Sequence, residues 1–215
     1  PCKLESVMIR IVIADDHEIV RAGLKQIISD DEDMEVLGES NNGENLIELV
    51  KKNDYDVVLL DLKMQGISGI DVIKHIKVIK PDLPIIVLSM HAEDQYAVRT
   101  IKAGASGYLT KETAAENLIT AVRRVVGGGK YISPTLAETL ADSIAGGGAE
   151  LPHEKLTDRE FQVMCMIASG KTVTEIGSEL FLSVKTISTY RQRILEKMNM
   201  KNNSELTHYA IKNNL

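Results

Sequence analysis

Val57-Val58-Leu59-Leu60-Asp61 is a run of four branched apolar residues ending on a carboxylate. A strand with one covered face alternates apolar and polar residues. Four apolar residues in a row require cover on both faces, as in a central strand of a parallel sheet with helices above and below. Ile85-Ile86-Val87-Leu88 repeats the pattern. Outward from these two, Ile9 to Ala14, Glu35 to Ser40 and Gly107 to Leu109 read as further strands, with amphipathic segments between them. Five strand-helix units predict an α/β fold, a doubly wound five-stranded parallel sheet over residues 9–126. Its ligands are expected at the carboxyl ends of the strands.

Polar residues collect at those ends. Asp15 and Asp16 follow the first strand, Asp61 the third, Ser89 the fourth and Lys111 the fifth. Each alone reads as a helix cap, a turn former or a solvated cation, so the coincidence carries the argument. Carboxylates a few ångström apart repel by about 4 kcal/mol per pair at an effective dielectric near 20, which calls for a cation. Oxygen donors without a His/Cys cluster favour Mg²⁺ over Zn²⁺, with Asp16 and Asp61 as direct ligands and Asp15 holding a metal-bound water. One carboxylate then serves as a nucleophile toward phosphorus, and Asp61 is the choice. Lys111 would neutralise phosphoryl charge and Ser89 would donate a hydrogen bond to a phosphoryl oxygen. His17 and His91 flank the pocket, where they read as helix-start or loop residues, or as tuners of phosphate lifetime.

After Val126 come Gly127-Gly128-Gly129, a helical stretch from Pro134 to Ile144, Gly146-Gly147-Gly148 and Pro152. Residues 127–152 therefore read as a linker with a short helix. Beyond it, Thr157-x-x-Glu160 and Thr172-x-x-Glu175 are capping boxes, and Ser183 and Ser204 are candidate caps for two more helices. Residues 153–215 are expected to form a small all-α, four-helix domain. Its second and third helices, Thr172 to Leu180 and Val184 to Met198, have the layout of a helix-turn-helix. On the third, Ile187, Ile194 and Leu195 give the apolar face. Lys185, Thr186, Ser188, Thr189, Arg191, Gln192 and Arg193 are left outward, a mixture suited to base edges and phosphates, although an ordinary solvated face has the same composition.

The chain has 215 residues, 44 % hydrophobic and 26 % charged, which suits two globular domains and excludes a disordered chain. Aromatic residues are 4 % with no Trp, so stacking platforms for single-stranded nucleic acid are scarce. Net charge is −6, divided as −8 over residues 1–152 (16 Lys/Arg, 24 Asp/Glu) and +2 over residues 153–215 (9 against 7). Cys2 and Cys165 lack metal or redox spacing. No apolar run is long enough to cross a bilayer, and residues 1–8 read as an N-terminal extension rather than a signal peptide. A cytoplasmic protein without membrane association is expected.

IRIVIADD at Ile9–Asp16, VVLLD at Val57–Asp61, Gly69, Leu88-Ser89 and GASGYLTK at Gly104–Lys111 resemble the receiver domains of response regulators. LTDRE at Leu156–Glu160, IASGK at Ile167–Lys171 and LSVKTISTYRQRILEKM at Leu182–Met198 resemble LuxR-type DNA-binding domains. Together the two matches resemble the NarL/FixJ family of two-component response regulators. The resemblance implies a flavodoxin-like receiver with Asp61 as phosphoacceptor, Asp15 and Asp16 in the acidic pocket, and Ser89 and Lys111 as a switch pair. It also implies that Tyr108 is a rotating aromatic, although a strand aromatic in the core reads the same way. The backbone carbonyl of Lys63 would complete the Mg²⁺ shell. Implied partners are a sensor histidine kinase, double-stranded promoter DNA with an inverted repeat, and a second copy of the chain when phosphorylated. Leu206, Tyr209 and Ala210 of the last helix are either core residues or the dimer contact. Gln65 and Glu112 stand where the family often has Pro, and Tyr190 where it often has His.

Two other readings stay open. A phosphate-independent DNA-binding regulator would keep the second domain and leave the pocket idle. An aspartate-dependent phosphohydrolase would use Asp61 as an enzyme nucleophile, but Lys63 occupies the place where haloacid-dehalogenase enzymes carry a second Asp. A nucleotide-binding sheet is disfavoured, because the first strand leads into Asp15-Asp16-His17-Glu18 instead of a glycine-rich cradle.

Overall fold

The computed structural model describes residues 8–64, 66–90, 95–145, 151–213 and 215. It contains two compact units, one running to Leu140 and the other beginning at Ala141.

The first unit is a five-stranded sheet, β1 (Ile9–Ala14), β2 (Met34–Ser40), β3 (Val57–Asp61), β4 (Ile85–Ser89) and β5 (Gly107–Thr110). Its strand order is β2-β1-β3-β4-β5 and every pair is parallel. Five helices alternate with the strands: α1 (Glu18–Ser29), α2 (Gly43–Lys52), α3 (Gly69–Ile79), α4 (Gln95–Lys102) and α5 (Lys111–Val126). Successive residues of the central strands divide between two cores, as a period of two requires. Val12, Val58, Leu60, Ile85 and Val87 join the core under α2, α3 and α4. Ile11, Ile13, Val57, Leu59, Ile86 and Leu88 join the core under α1 and α5. The unbroken apolar runs follow from this double cover. Strand order reverses between β1 and β3, and a crevice opens there at the carboxyl edge.

β3, β4 and β5 each run at least one residue further than the apolar pattern suggests, so Asp61 and Ser89 are themselves strand residues. Their backbones are in register with the neighbouring strands, Asp61 opposite Leu88 and Ser89 opposite Thr110. Gly69 holds the other side of the pocket loop close. A Cβ there would lie 2.8 Å from the Leu62 Cα, closer than packed atoms approach, so the residue at that position must be glycine for α3 to start where it does.

The seam between domains falls later than the glycine triplet at 127–129 suggests. Tyr131 forms a parallel bridge with Gly107 on the free edge of β5, through Tyr108 N to Tyr131 O (3.0 Å) and Tyr131 N to Ser106 O (2.9 Å). Lys130 Nζ donates to Ala105 O (2.9 Å). Leu136, near the start of α6 (Pro134–Ala145), is 1 % exposed within the first unit's core, and Ile132 and Leu140 pack against that core. Backbone pairing and apolar burial that periodicity cannot reveal thus bind residues 130–140 to the sheet. Gly146–Gly148 lie outside the described residues.

The second unit contains a 3-10 turn (Pro152–Lys155) and helices α7 (Asp158–Ala168), α8 (Val173–Glu179), α9 (Val184–Met198) and α10 (Asn203–Lys212). Both capping boxes form. Thr157 and Glu160 exchange side-chain-to-backbone bonds, as do Thr172 and Glu175. Ser183 caps α9, whereas α10 is capped by Asn202, whose side chain accepts from Glu205 N, and not by Ser204. Buried Glu160 also accepts from Lys197 Nζ (2.6 Å), tying α7 to α9.

The α8–α9 turn carries a residue that sequence patterning does not favour. Phe181 sits at φ 54° and is 63 % exposed. The left-handed region costs an L-residue roughly 1–2 kcal/mol, and asparagine bears it better than phenylalanine. Phe181→Asn is therefore expected to stabilise the second unit by about 1 kcal/mol, read as a higher urea midpoint with an unchanged m-value. A lower midpoint would mean that the ring makes a contact worth more than the strain.

Candidate functional site

The crevice gathers the residues expected there. Asp15 and Asp61 are 0 % and 2 % exposed, and Lys111, first residue of α5, places Nζ 2.6 Å from Asp15 Oδ2 and 2.8 Å from Asp61 Oδ2. The Lys63 backbone N–H donates to Asp61 Oδ1 (3.1 Å), fixing the carboxylate plane. Ser89, the last residue of β4, is buried, and so is Tyr108, which lies opposite Val87 on β5. The Tyr108 ring is already inside, 1 % exposed, so any rotation of it starts from a buried position.

Donor oxygens of Asp15, Asp16 and Asp61 and a ring nitrogen of His17 all lie within 4.8 Å of one another. His17 Nδ1 is 3.2 Å from Asp15 Oδ1 and 2.7 Å from Asp16 Oδ1, so this histidine does touch the pocket. Asp16 Oδ1 is buried, and despite that contact it has no partner in hydrogen-bond geometry. An acceptor-rich pocket with such an oxygen fits a hard cation with oxygen ligands. His91 lies outside the described residues.

Burial raises the Asp61 carboxyl above the ordinary carboxylate range, and the bonds from Lys111 and from Lys63 N–H only partly offset it. For Lys111 the balance runs the other way. Burial alone would depress the ammonium, yet Asp15 and Asp61 together hold it above its ordinary value. The two shifts differ because one cation serves two carboxylates, and Asp15 repels the charge on Asp61. A raised folded-state value for a carboxyl means a contribution fully present below the unfolded value and lost as pH rises through the folded one. Without divalent cations, Asp61→Asn is therefore expected to melt a few degrees above the natural chain at pH 7.5, and the gap should close toward pH 4. Equal melting at both pH values would show that Lys111 fully compensates the buried charge.

One contributor escaped the sequence reading. Arg21 Nη1 donates to the Asp15 carbonyl (2.7 Å) from α1, where an arginine on a polar face gives no signal of an inward reach.

In the second unit α9 turns Ile187, Ile194, Leu195 and Met198 inward. Lys185, Ser188, Thr189, Gln192 and Arg193 are exposed, while Thr186 and Arg191 are half-buried. Arg191 Nε is held by Asn203 Oδ1 (2.6 Å) and Gln192 Nε2 donates to Glu196 Oε1 (2.9 Å). The Ser188 and Thr189 hydroxyls donate to carbonyls of their own helix. The face is polar and cationic as expected. On the last helix the three singled-out residues differ in burial. Leu206 and Ala210 are 0 % and 1 % exposed, on the face of α10 that packs against α7. Half-buried Tyr209 places its hydroxyl 2.8 Å from His153 Nδ1. Leu206 and Ala210 belong to the unit's interior, while Tyr209 keeps part of its surface exposed.

No helix among the described residues is long and apolar enough to cross a membrane. Residues 11–123 match the response regulator receiver domain, and residues 154–210 match the luxR family of bacterial regulatory proteins. The chain is 39 % identical over 209 residues to response regulator UvrY of Escherichia coli K12, covering 97 % of this chain and 96 % of UvrY. Response regulator GacA of Pseudomonas aeruginosa is 36 % identical, with 97 % and 98 % covered. Among solved structures, Salmonella typhimurium RcsB superimposes with a TM-score of 0.67 at 29 % identity over 94 % of this chain and 96 % of that one. RcsB of Salmonella enterica serovar Typhimurium bound to promoter P1flhDC in the presence of the phosphomimetic BeF3− gives 0.59 at 31 %, with 94 % and 97 % covered. A receiver sheet ending in a buried Asp-Lys pocket and a separate helix-turn-helix unit are thus matched along nearly the whole length, and the chain belongs to the NarL/FixJ family of response regulators, transcription regulators with a LuxR-type DNA-binding domain.

Proposed function

We propose that Asp61 accepts a phosphoryl group from a sensor histidine kinase, and that this modification controls dimerisation and binding to an inverted repeat in promoter DNA. The observation that carries the reading is the buried Lys111 ammonium shared between Asp15 and Asp61. Asp16, Asp61 and the Lys63 carbonyl would hold Mg²⁺, with Asp15 acting through a bound water. When bound, Mg²⁺ supplies positive charge against the phosphoryl oxygens.

An Asp61 carboxylate oxygen attacks phosphorus, and the bond from phosphorus to the donor's histidine nitrogen breaks, leaving its electron pair on that nitrogen. Lys63 N–H keeps the carboxylate plane fixed during attack. Lys111 then pairs with a phosphoryl oxygen in place of carboxylate charge, and Ser89 donates to another. The new group brings roughly −1.5 to −2 charge, which draws Ser89 inward and leaves space for Tyr108 to follow. DNA is read by α9, with Lys185, Arg191 and Arg193 toward phosphates and Thr186, Ser188, Thr189 and Gln192 toward base edges.

The chain would modify itself rather than turn over substrate. The test compares natural chain and Asp61→Asn, each with and without phosphodonor and Mg²⁺, for adduct mass and DNA affinity. A response in the natural chain alone supports the reading, and an identical response in both ends it.

A further inference from the structure

The backbone of Asp15 is held on both sides of its Cα, and the peptide that joins it to Asp16 is held through its carbonyl. Asp15 N donates to Ser40 O at the end of β2 (3.1 Å), and Asp15 O accepts from Arg21 Nη1 (2.7 Å). Arg21 lies on the first turns of α1, where its own backbone N–H bonds the His17 carbonyl (3.2 Å). Its side chain is 17 % exposed, unusually enclosed for an arginine, and its Nε faces Glu39 Oε2 at 3.4 Å. Glu39 precedes Ser40 on β2 and also takes Lys25 Nζ at 2.7 Å. Lys25 first, and Arg21 after it, keep the Glu39 carboxyl below the ordinary carboxylate range, so it stays an anion that orients the guanidinium.

The side chain of Asp16 leaves the backbone immediately after the Arg21-bonded carbonyl. A change in the Asp15 ψ angle would move that carbonyl and swing Asp16 Cα together, and with it the buried Oδ1 that has no hydrogen-bond partner. Asp15 is less free to move, because Lys111 and His17 N–H (2.8 Å to Oδ1) already hold its carboxylate. The Arg21 bond therefore controls mainly the second acid.

We propose that Arg21 is a positioning residue for the acidic pocket, fixing the Asp15–Asp16 peptide so that Asp16 meets a divalent cation without rearrangement, with Glu39 orienting Arg21. This rests on the reading of the pocket as a Mg²⁺-assisted phosphoacceptor site. Ligand orientation by a hydrogen-bonded neighbour is worth about 10- to 100-fold in metal affinity in other proteins.

The sign of the effect separates this role from charge alone. A guanidinium close to the pocket repels a dication, so removing it should tighten Mg²⁺ if charge were its only action. Positioning predicts the reverse. Mg²⁺ is titrated calorimetrically into the full-length, tag-free natural chain, Arg21→Met and Glu39→Gln, and the rate of phosphorylation by acetyl phosphate is followed against Mg²⁺ concentration.

Arg21→Met is expected to weaken Mg²⁺ about 10- to 100-fold. Its half-saturation point should move by the same factor, while the rate at saturating Mg²⁺ returns to within a few-fold of natural. Glu39→Gln, an exposed change that leaves the fold intact, should shift Mg²⁺ affinity in the same direction by less. Unchanged or tighter Mg²⁺ binding in Arg21→Met, with the natural chain phosphorylated normally, overturns the inference alone. So does a fall in maximal rate with no shift in half-saturation. A natural chain that neither binds Mg²⁺ nor takes up phosphoryl overturns the pocket reading and this inference together.

Discussion

Incubated with a small phosphodonor and Mg²⁺, the natural chain is expected to gain the mass of a single phosphoryl group, while Asp61→Asn gains none. Two other acids, Asp15 and Asp16, lie in the same crevice, so chemical proximity alone would allow an adduct on either. Both Asp15 and Asp61 accept from Lys111 and from one backbone N–H, but the bonds to Asp15 are shorter, 2.6 and 2.8 Å against 2.8 and 3.1 Å, so its lone pairs are held more tightly. Asp16 follows the strand and is 23 % exposed at its side chain, so water competes for its lone pairs. Asp61 is raised by burial, so it reacts as an incompletely solvated carboxylate with Lys111 at hand for the incoming charge. Its replacement should abolish the adduct and, with it, every phosphodonor-induced change in self-association and DNA affinity. An adduct that survives in Asp61→Asn would move the nucleophile to Asp15 or Asp16. No adduct in the natural chain under any metal condition would leave a regulator driven by something other than phosphate.

The second large effect concerns salt. Residues 153–215 carry only +2, so the exposed cations of α9 must account for much of any attraction to DNA. A dimer contacting roughly 6 to 8 phosphates gives a slope of log affinity on log salt near −5 to −7. Lys185 and Arg193 are both exposed on α9, and replacing both with Ala removes four cations per dimer. The slope should then become shallower by about 3 to 4, and affinity near 0.15 M salt should fall roughly 10²- to 10³-fold on every sequence tested. Gln192→Ala should behave differently, leaving the slope alone and relaxing preference at one base pair, since an amide reads base edges and carries no charge. A natural-chain slope near zero would remove DNA as the ligand of this face. An unchanged slope in the double variant would place the phosphate contacts elsewhere in the unit.

Legibility followed the range of the interaction. The five strands and the pocket could be read in advance because double burial forces contiguous apolar runs, and the parallel topology then brings the strand ends together. Asp15, Asp61 and Lys111 met as that logic requires. Capping boxes were equally visible, since both partners sit three residues apart. Arg21 was invisible because its partner is a backbone carbonyl six residues earlier, and no side-chain pattern marks a carbonyl. On α10, Leu206 and Ala210 show why spacing names a buried face without saying what buries it: the cover is α7 of the same unit. Residues 130–140 were misplaced for a related reason. Their tie to the sheet is a backbone bridge at Tyr131, the Lys130 bond to Ala105 O and a few apolar contacts around Leu136, none of which produces a periodic signal.

That bridge bears on how such regulators can be recombined. When output modules are exchanged between relatives, a junction after Val126 hands the β5 border of one parent to a ribbon supplied by the other, and the Leu136 plug must fit a socket it did not co-evolve with. An exposed strand border left by a poor fit is a template for pairing between molecules. Joining after Leu140 keeps Tyr131 and Leu136 with their own sheet, so the heritable cassette of the receiver extends about fourteen residues beyond its last alternating helix.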